Sequence, residues 1–434
     1  MRNGKSSDKY SGPFFLALAV ITMLVQSVVV STAIKGLLIP YLLILSQFGT
    51  DVFSGIVRRP RLPIFVPVVL FISVFATYEA AVQVANLVTH PYLTSMILVS
   101  GEGRSVSFLR SSLLTQGLYL VTCVLFFLYL LRYMLQAGSN DHVMKLARVG
   151  IVLFLAFGVY EFAGYLITGG NVDFVSNRLT GNYGTYSTFQ TVQLGGFALP
   201  RMKSLAGEAS MFAFSMVPFA IIYYYLKQRI WIPLLAAAVL STSTTGYIGI
   251  MCFLILDMII TRRPGKLMVG ILAGGLFLWF LGNAWFVDLL DFGMSKLRLE
   301  HMSGIDRMDH FSESINFFAG SDLFHQLFGY GFGYIRSTDG FSTLLVNVGV
   351  VGLLTFVGFL LFPFFRMSCG SPYRRGLLVA TIVEVVMILI SVTEFFYLHV
   401  WFIAALSWFE YLKERSAANQ PSANMALAGS GGVA

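Results

Sequence analysis

The sequence predicts an all-α integral membrane protein that crosses the bilayer many times, and its composition gives two reasons. Hydrophobic residues make up 56% of the 434-residue chain and charged residues only 12%, whereas soluble globular proteins have about 25% charged residues. The mean hydropathy is +0.76, and the chain contains 40 Phe and 20 Tyr. So much apolar surface excludes a soluble enzyme and a disordered or fibrous protein. It also argues against a nucleic-acid binder, despite the net charge of +8.

The third observation is a series of apolar runs, each long enough to cross the hydrocarbon core, which takes about 20 helical residues. The runs form a single predicted transmembrane domain over residues 1–412, followed by a disordered cytoplasmic tail over residues 413–434. The first run has no small-residue cleavage site after it, so we expect an uncleaved helix rather than a signal peptide. The twelve predicted spans lie near 14–31, 34–50, 63–84, 112–134, 149–168, 209–226, 230–244, 246–261, 267–286, 341–365, 376–393 and 396–412.

Lys and Arg concentrate in alternate loops between these runs, and this asymmetry predicts the orientation. With a cytoplasmic N-terminus, 19 of the 29 Lys and Arg residues fall on the cytoplasmic side. Both termini are therefore predicted to be cytoplasmic. Three long loops are predicted outside, at about 85–111, 169–208 and 287–340. The basic balance follows from this topology rather than from an acidic partner.

A first polar cluster lies just ahead of the sixth predicted span and contains Arg201, Lys203 and Glu208. An ion close to the hydrocarbon is costly unless it meets a partner or a charged ligand. The arginine fork fits phosphate oxygens, and lysine adds a point charge. Glu208 stands where a helix N-terminus favours an anion. A basic interfacial anchor with a helix-start glutamate is an equally good interpretation.

A second polar cluster lies in the predicted loop over residues 287–340. Arg307, Asp309 and His310 fall within four residues, and such a set can supply a phosphate clamp together with a general base. Arg307 would be the second cation that a diphosphate ligand needs. A solvated amphipathic helix is the plain alternative. That alternative is the better interpretation of the charged residues just before this set, which are Lys296, Arg298, Glu300 and His301.

Glycine and aromatic residues alternate over residues 329–334, and Arg336 and Asp339 follow. The run does not join a strand to a helix, so it is not a nucleotide-binding fingerprint. It is typical of a flexible loop whose rings stack on sugars, although an aromatic belt at the membrane surface explains it equally well. The candidate sugar contacts are Tyr330, Phe332, Tyr334 and Asp339.

Other polar residues interrupt the apolar runs. The segment 241–246 predicts a tight turn in which hydroxyl groups satisfy backbone atoms. An intramembrane carboxylate is a functional candidate unless it merely pairs with a neighbour. Four of them lie in the predicted spans or directly at their ends: Glu79, Glu161, Glu384 and Glu394. Neither a disulfide framework nor a metal site is predicted from the spacing of Cys123, Cys252 and Cys369.

Three landmarks, in this order, resemble the bacterial O-antigen polymerase and ligase superfamily of membrane glycosyltransferases. They are the segment Arg201–Ser210 ahead of a span, the Ser/Thr-Gly break at 241–246, and Arg307 followed by the Gly-Tyr-Gly-Phe-Gly run and a helix start at Val348–Gly352. The resemblance covers the chain from about the fifth predicted span to the tenth. Ala209 departs from the pattern, because many relatives have proline there.

The resemblance implies the polymerase branch of this superfamily. Ligases typically have a His-Asn pair shortly before the helix-start glycine, where this chain has Thr338 and Asp339. The implied fold is that of the large membrane glycosyltransferases of GT-C type, with its active site outside the bacterial inner membrane. Undecaprenyl diphosphate-linked oligosaccharide would be both donor and acceptor. The other expected partners are membrane lipids, a chain-length regulator and a flippase, and no nucleic acid.

The residues also suit this chemistry on physical grounds. The leaving group is a lipid diphosphate, so catalysis needs cations where its negative charge develops. Arg201 and Arg307 are the main candidates, with Lys203 and Arg336 as further members of the patch. The donor is already activated, and arginines can take the place of a metal, so no cofactor or metal is expected.

The acceptor hydroxyl needs at most a carboxylate or an imidazole to take its proton. Glu208 and His310 are the preferred candidates, with Asp309 and Asp339 behind them. Three other interpretations stay open. A flippase or another twelve-span transporter matches the span count, but such folds usually have two related halves and short outside loops. An O-antigen ligase differs mainly at Thr338, and a non-catalytic scaffold leaves Arg201 and Arg307 unexplained.

The predicted orientation can be tested with reporter fusions along the chain. We expect cytoplasmic signals for fusions after Arg59, Lys145, Arg263 and Arg374, because these lie in the basic loops. We expect outside signals near Gly170 and Ser303. An outside signal at Arg263 would contradict the orientation.

Overall fold

The computed structural model describes residues 13–31, 37–58, 62–91, 110–180, 185–186, 190–194, 197–262, 302–393 and 395–418, and these residues are mostly helical. The helices of the first half are α1 (Phe14–Thr22), α2 (Ile39–Arg58), α3 (Leu62–Thr89), α4 (Ser111–Ala137), α5 (Asp141–Thr168), α6 (Ala209–Tyr225), α7 (Trp231–Leu240) and α8 (Thr244–Thr261). The helices of the second half are α9 (Met302–Ala319), α10 (Leu323–Phe328), α11 (Gly340–Arg366), α12 (Pro372–Ser391) and α13 (Leu398–Ala418).

Five of these helices are long and apolar enough to cross a membrane, by length and composition: α3, α4, α5, α8 and α11. The predicted all-α class and the membrane class therefore agree with the structure, while the count of twelve spans stays a prediction. Helix α7 has only ten residues, which gives a length of about 15 Å.

Short strands form antiparallel hairpins between the helices. Their bounds are β1 (Val29–Ser31), β2 (Leu37–Leu38), β3 (Leu179–Thr180), β4 (Thr185–Tyr186), β5 (Thr191–Leu194) and β6 (Phe197–Pro200), and they pair β1 with β2, β3 with β4, and β5 with β6. The predicted loop at 169–208 is thus partly built of strands.

The first predicted span is wrong in its second half. Helix α1 ends at Thr22 after nine residues, and the chain continues into β1. The β-branched run Val28–Val30 favours a strand, and the backbone N–H groups of Gln26 and Ser27 both donate to the carbonyl of Leu205, at 2.8 and 2.9 Å. This part of the chain therefore pairs with the segment before α6 instead of extending a helix.

Helix α6 forms much of the core. It packs against α7, α8 and α12, and Phe212, Phe214 and Phe219 are fully buried in it. A helix that is apolar on all sides belongs inside a protein. Close approach of α8 to α6 depends on a small residue, since a Cβ built at Gly246 would lie 2.9 Å from the Cβ of Ala213.

The predicted turn at 241–246 lies between α7 and α8. Helix α7 ends at Leu240 and α8 begins at Thr244. The Ser241 hydroxyl donates to the carbonyl of Ala238 at 2.6 Å, and Thr242 has a φ of 46°. The Ser241 hydroxyl therefore satisfies a backbone carbonyl in this turn, as the composition of the segment predicts.

The glycine-aromatic run docks into a break in α11. The break is at Gly349, with φ 65° and ψ −173°. Beside it, Tyr330 N–H donates to the Val346 carbonyl at 2.9 Å and Gly331 N–H to the Asn347 carbonyl at 3.0 Å. Helix backbone groups that lose their own partners thus find partners in the loop, which a low-dielectric interior requires.

The remaining predictions concern the C-terminal helix and residues that lie outside the described ranges. Helix α13 continues to Ala418, so the predicted disordered tail from 413 is wrong for its first six residues. Hydrophobic contact continues along this helix, where Phe409 and Tyr411 are buried. The predicted span at 267–286, the charged residues at 296–301, Glu394 and most of the predicted tail lie outside the described residues.

We predict that Gly349→Ala strongly destabilises the protein. Its backbone conformation is nearly restricted to glycine, and an added Cβ would lie 2.3 Å from the Leu327 carbonyl oxygen. Such strain costs about 1–3 kcal/mol or more, which should lower the thermal midpoint of the purified protein in detergent. Gly358→Ala in the same helix is the matched control, because nothing lies within 4 Å of its added Cβ. Equal midpoints for the two variants would contradict the proposed constraint.

Candidate functional site

Arg201 lies at the end of the β5–β6 hairpin, where several acceptors hold it. Its backbone N–H donates to the Gln190 carbonyl at 2.9 Å, continuing the strand pairing. Its Nε donates to the Ser241 carbonyl at 3.2 Å, and its Nη1 donates to the Gln190 side chain. The guanidinium is therefore oriented by the hairpin and by the turn between α7 and α8, and no contact to its Nη2 is formed by the described residues.

The electrostatic surroundings of Arg201 include the other candidate residues. Burial lowers the pKa of Arg201, the interactions with Glu208 and Tyr247 raise it, and the charge of Arg307 lowers it. These interactions require Glu208 and Arg307 to lie within electrostatic range of Arg201. Two arginines that are 106 residues apart in sequence therefore share one region with a carboxylate.

Arg307 belongs to helix α9 and is half-buried. Its carbonyl accepts a hydrogen bond from the Thr338 hydroxyl at 3.3 Å. Thr338 thus links the start of α9 to the segment that leads into α11. Thr338, the residue at which the sequence departs from the ligase pattern, therefore helps to position the start of α9.

Glu208 is the N-cap residue of α6, but its side chain makes no capping hydrogen bond. The Glu208 side chain is half-buried and stands at the N-terminal end of α6. Among the described residues, no capping hydrogen bond uses its carboxylate oxygens. Among the predicted proton acceptors, it has the clearest electrostatic link to an arginine of the pair.

His310 and Asp309 lie on the same helix as Arg307. His310 is three residues further along, which places it on the neighbouring part of the helix surface. Its ring nitrogen Nδ1 lies 3.9 Å from the Glu313 carboxylate, and the side chain is 31% exposed. Asp309 is exposed. His310 is therefore accessible to a ligand. Among the described residues, no contact links it to Glu208.

Lys203 has a different role from the predicted phosphate contact. Its ammonium group is 2% exposed and lies 2.6 Å from both Glu161 and Asp173. Burial by itself would raise the pKa of Asp173, but hydrogen bonds from Lys203 and Ser176 outweigh it and hold the pKa well below its ordinary value. Folding therefore favours the ionised Asp173, and this stabilisation is lost only as the pH falls below about 4.

The aromatic side chains predicted to stack on sugars are buried. Tyr330, Phe332 and Tyr334 are 5%, 6% and 2% exposed. The Tyr330 ring stacks on His325 with 4.3 Å between centroids, and the Tyr334 ring lies under the Arg110 guanidinium at 4.2 Å. These rings fill the interface between helices, because the docked glycines bring them inward, so the sugar-binding prediction is not supported for them.

Asp339 and Arg336 also have contacts that the sequence does not predict. Asp339 is the N-cap of α11 and accepts from the Ser342 N–H at 2.7 Å and from the Ser342 hydroxyl at 2.6 Å. It is 5% exposed, which removes it from the candidate sugar contacts and from the reserve proton acceptors. Arg336 is exposed, and its Nε donates to the Thr393 hydroxyl at 3.2 Å.

The described carboxylates of the predicted spans each make a different kind of contact. Glu79 accepts a hydrogen bond from the Phe332 N–H at 3.0 Å, and Glu161 pairs with Lys203. Glu384 lies 3.6 Å from the ring of His399, and both side chains are buried. In the part of the chain that the structure describes, no group of three or more His, Cys, Asp or Glu could hold a metal ion.

Sequence reasoning did not identify the residues that hold the site in place. Gln190 and Ser241 orient Arg201, and Asn347 binds the glycine-aromatic run. The Asn347 carboxamide oxygen accepts from the N–H groups of Tyr334 and Ile335 at 3.0 and 2.8 Å. An asparagine in an apolar run is a usable signal, because buried polar groups need partners. A glutamine in a loop carries no comparable signal.

Comparison with known proteins gives no match to a family model, to a curated protein or to a solved structure. Support for a function therefore comes from the chemistry and placement of the residues described above, together with the resemblance of the ordered motifs.

We predict that Lys203→Met destabilises the protein by about 3–5 kcal/mol, since it leaves Glu161 and Asp173 as unpaired buried charges. The thermal midpoint of the purified variant should fall accordingly. Lys227→Met removes an exposed lysine and should change stability by no more than about 0.5 kcal/mol. A stable Lys203→Met protein that is merely inactive would return Lys203 to the ligand-binding patch.

Proposed function

We propose that the protein is a membrane glycosyltransferase that polymerises lipid diphosphate-linked oligosaccharide repeat units. The undecaprenyl diphosphate-linked glycan would be both donor and acceptor, and the product would be O-antigen, capsule or exopolysaccharide. The reaction would take place on the outer face of the bacterial inner membrane. A twelve-span, GT-C-like architecture with both termini in the cytoplasm is part of this proposal.

The observation that carries the proposal is the shared electrostatic region of Arg201 and Arg307. Arg307 repels the positive charge of Arg201, although less strongly than Glu208 attracts it. A diphosphate carries enough negative charge to engage two guanidinium groups, each of which fits phosphate oxygens with parallel hydrogen bonds. Glu208 adds one carboxylate to this region, and the balance stays positive.

The chemistry assigns separate roles to these groups. The acceptor hydroxyl attacks the anomeric carbon of the donor, forming the new glycosidic C–O bond while the bond between that carbon and the diphosphate oxygen breaks. The leaving diphosphate keeps the bonding electron pair, and Arg201 and Arg307 stabilise the resulting charge. The hydroxyl proton goes to Glu208, or to His310, as the reaction proceeds.

Some residues that the sequence suggests for the active site have structural contacts instead, so this proposal gives them no catalytic role. Lys203 belongs to a buried ion pair, and the rings of the glycine-aromatic run belong to the helix interface. The remaining set is Arg201, Arg307, Glu208 and His310, all carried by the two predicted outside segments. Arg336 lies at the surface and contributes to the positive potential at longer range.

Deletion of the encoding gene separates this proposal from the alternatives. We expect the surface polysaccharide to be reduced to single repeat units, because their export and final attachment do not need a polymerase. Full-length polymer that stays on its lipid carrier would instead indicate a ligase. Loss of all outward-facing repeat units would indicate a flippase. Either of these two results would overturn the proposed function.

We predict that Arg201→Ala and Arg307→Ala both shorten the polymer in complemented cells. A charge-assisted phosphate contact contributes about 1.5–3 kcal/mol, so the loss of one should slow polymerisation by about 10- to 100-fold. Lysine at either position should restore activity only in part, because it keeps the charge but loses the fork. The measurement is the polysaccharide ladder, normalised to the amount of protein in the membrane.

Arg336→Ala is the graded comparison for this experiment, since Arg336 is an exposed arginine and a further member of the predicted patch. Its ladder should shorten less than that of Arg201→Ala or Arg307→Ala. A wild-type ladder from well-expressed Arg201→Ala or Arg307→Ala would remove that arginine from the active site and with it the central support for catalysis.

A further inference from the structure

A cavity of about 350 Å³ lies at the end of the helical domain opposite to the segments that carry Arg201 and Glu208. It forms where the start of α5, the end of α6 and the start of α12 meet. All three segments come from loops that the Lys and Arg distribution assigns to the cytoplasm. The cavity-lining residues that matter here are Asn140, Lys145, Arg148, Tyr223, Gln228 and Tyr373.

The mouth of the cavity carries two cations. Lys145 and Arg148 are exposed and lie three residues apart, on one side of the first turns of α5. Asp141 also lines the cavity, which leaves a net charge of +1 on the lining side chains. The N-terminus of α5 adds the partial positive charge of a 28-residue helix. The local field therefore favours an anion.

Deeper in the cavity are polar groups that lack a protein partner. The Tyr223 hydroxyl and the Gln228 carboxamide oxygen are buried, and neither has a hydrogen-bond partner among the described residues. Tyr223 is only 2% exposed. Leaving such groups unsatisfied is unfavourable unless water or a ligand binds them. The cavity thus has a hydroxyl donor that no intramolecular contact uses.

A second tyrosine hydroxyl is held beside the first. The Asn140 side chain donates to the Tyr373 hydroxyl at 2.7 Å and makes no capping hydrogen bond to α5. The Tyr373 hydroxyl accepts in this contact, so its own proton is available to a ligand in the cavity. Two cations at the mouth and two tyrosine hydroxyls form a donor set that matches the oxygens of a phosphate ester.

We propose that this cavity binds the phosphate headgroup of an anionic phospholipid from the cytoplasmic leaflet. Its volume is near the lower end of the range for small-molecule sites, about 300–1,000 Å³, which suits a headgroup better than a bare phosphate ion. Met144 and Leu226 supply apolar lining for the glycerol and the start of the acyl chains. Basic pockets between membrane helices on this side are suited to anionic headgroups.

The bound headgroup bridges α5, α6 and α12 at one end of the domain. Helix α6 carries Glu208 at its other end, so lipid binding constrains a helix that belongs to the proposed active site. Binding itself does not depend on polymerase activity, and the two proposals can fail independently.

The experiment uses the full-length protein in nanodiscs of phosphatidylcholine that contain a small fraction of labelled phosphatidylglycerol. We expect preferential binding of the labelled lipid by the wild type. Replacing both cations, as Lys145→Gln with Arg148→Gln, should weaken binding by about tenfold or more. Arg229→Gln is the matched control, because it removes an exposed arginine from the same predicted face outside the cavity lining, and its binding should be unchanged.

Tyr223→Phe keeps the test decisive if the double variant does not fold. It removes only a buried hydroxyl that has no hydrogen-bond partner in the described part of the chain, so the protein should fold normally and bind the labelled lipid several-fold more weakly. Inorganic phosphate is added alone as the competing probe. The proposal is overturned if the wild type does not prefer phosphatidylglycerol to phosphatidylcholine, if Arg229→Gln loses as much binding as the double variant, or if inorganic phosphate displaces the lipid.

Discussion

The buried ammonium group of Lys203 holds the predicted outside segment against the helical domain. It pairs at 2.6 Å with Glu161 on α5 and at 2.6 Å with Asp173 in the segment that follows α5. Removing an ion from water is costly, so such a contact is maintained only when its partners are placed accurately. Arg201 is two residues before Lys203 along the chain. The position of the proposed catalytic arginine relative to the membrane helices is therefore a consequence of this ion pair.

A second structural unit positions Arg307. The glycine-aromatic run fills the break in α11, and side chains on one end of α3 bind its backbone: Asn86 donates to the Tyr330 carbonyl at 2.7 Å, and Glu79 accepts from the Phe332 N–H. Carbonyl and N–H groups away from water need such partners. Thr338 follows this run and contacts the Arg307 backbone. The start of α9 is thereby connected to the most polar part of the domain.

The two arginines are thus carried by independent parts of the fold, and this arrangement has a chemical consequence. The Arg201 guanidinium is held by the Gln190 side chain and the Ser241 carbonyl, and Glu208 attracts it more strongly than Arg307 repels it. A region that stays positive in the absence of ligand is preorganised for a dianionic leaving group, because no reorganisation is needed as the charge develops. The cavity at the opposite end of α6 has cations at its mouth and, inside it, the Tyr223 hydroxyl, which has no hydrogen-bond partner among the described residues.

Composition and periodicity determined the class of this protein and the positions of most helices, because burial in lipid requires long apolar segments and leaves a direct record in the sequence. The charges also predicted which segments belong to the proposed active site. Only the tertiary structure decided which of those charges stay available. Lys203 and Arg201 are two residues apart and of similar type, yet Lys203 meets carboxylates that are 42 and 30 residues earlier in the chain, while Arg201 meets neutral acceptors and the field of Arg307. Likewise, the rings at 330–334 turn inward because the glycines between them dock into a broken helix. Contacts between distant segments depend on three-dimensional packing, and a local pattern of residues does not specify them.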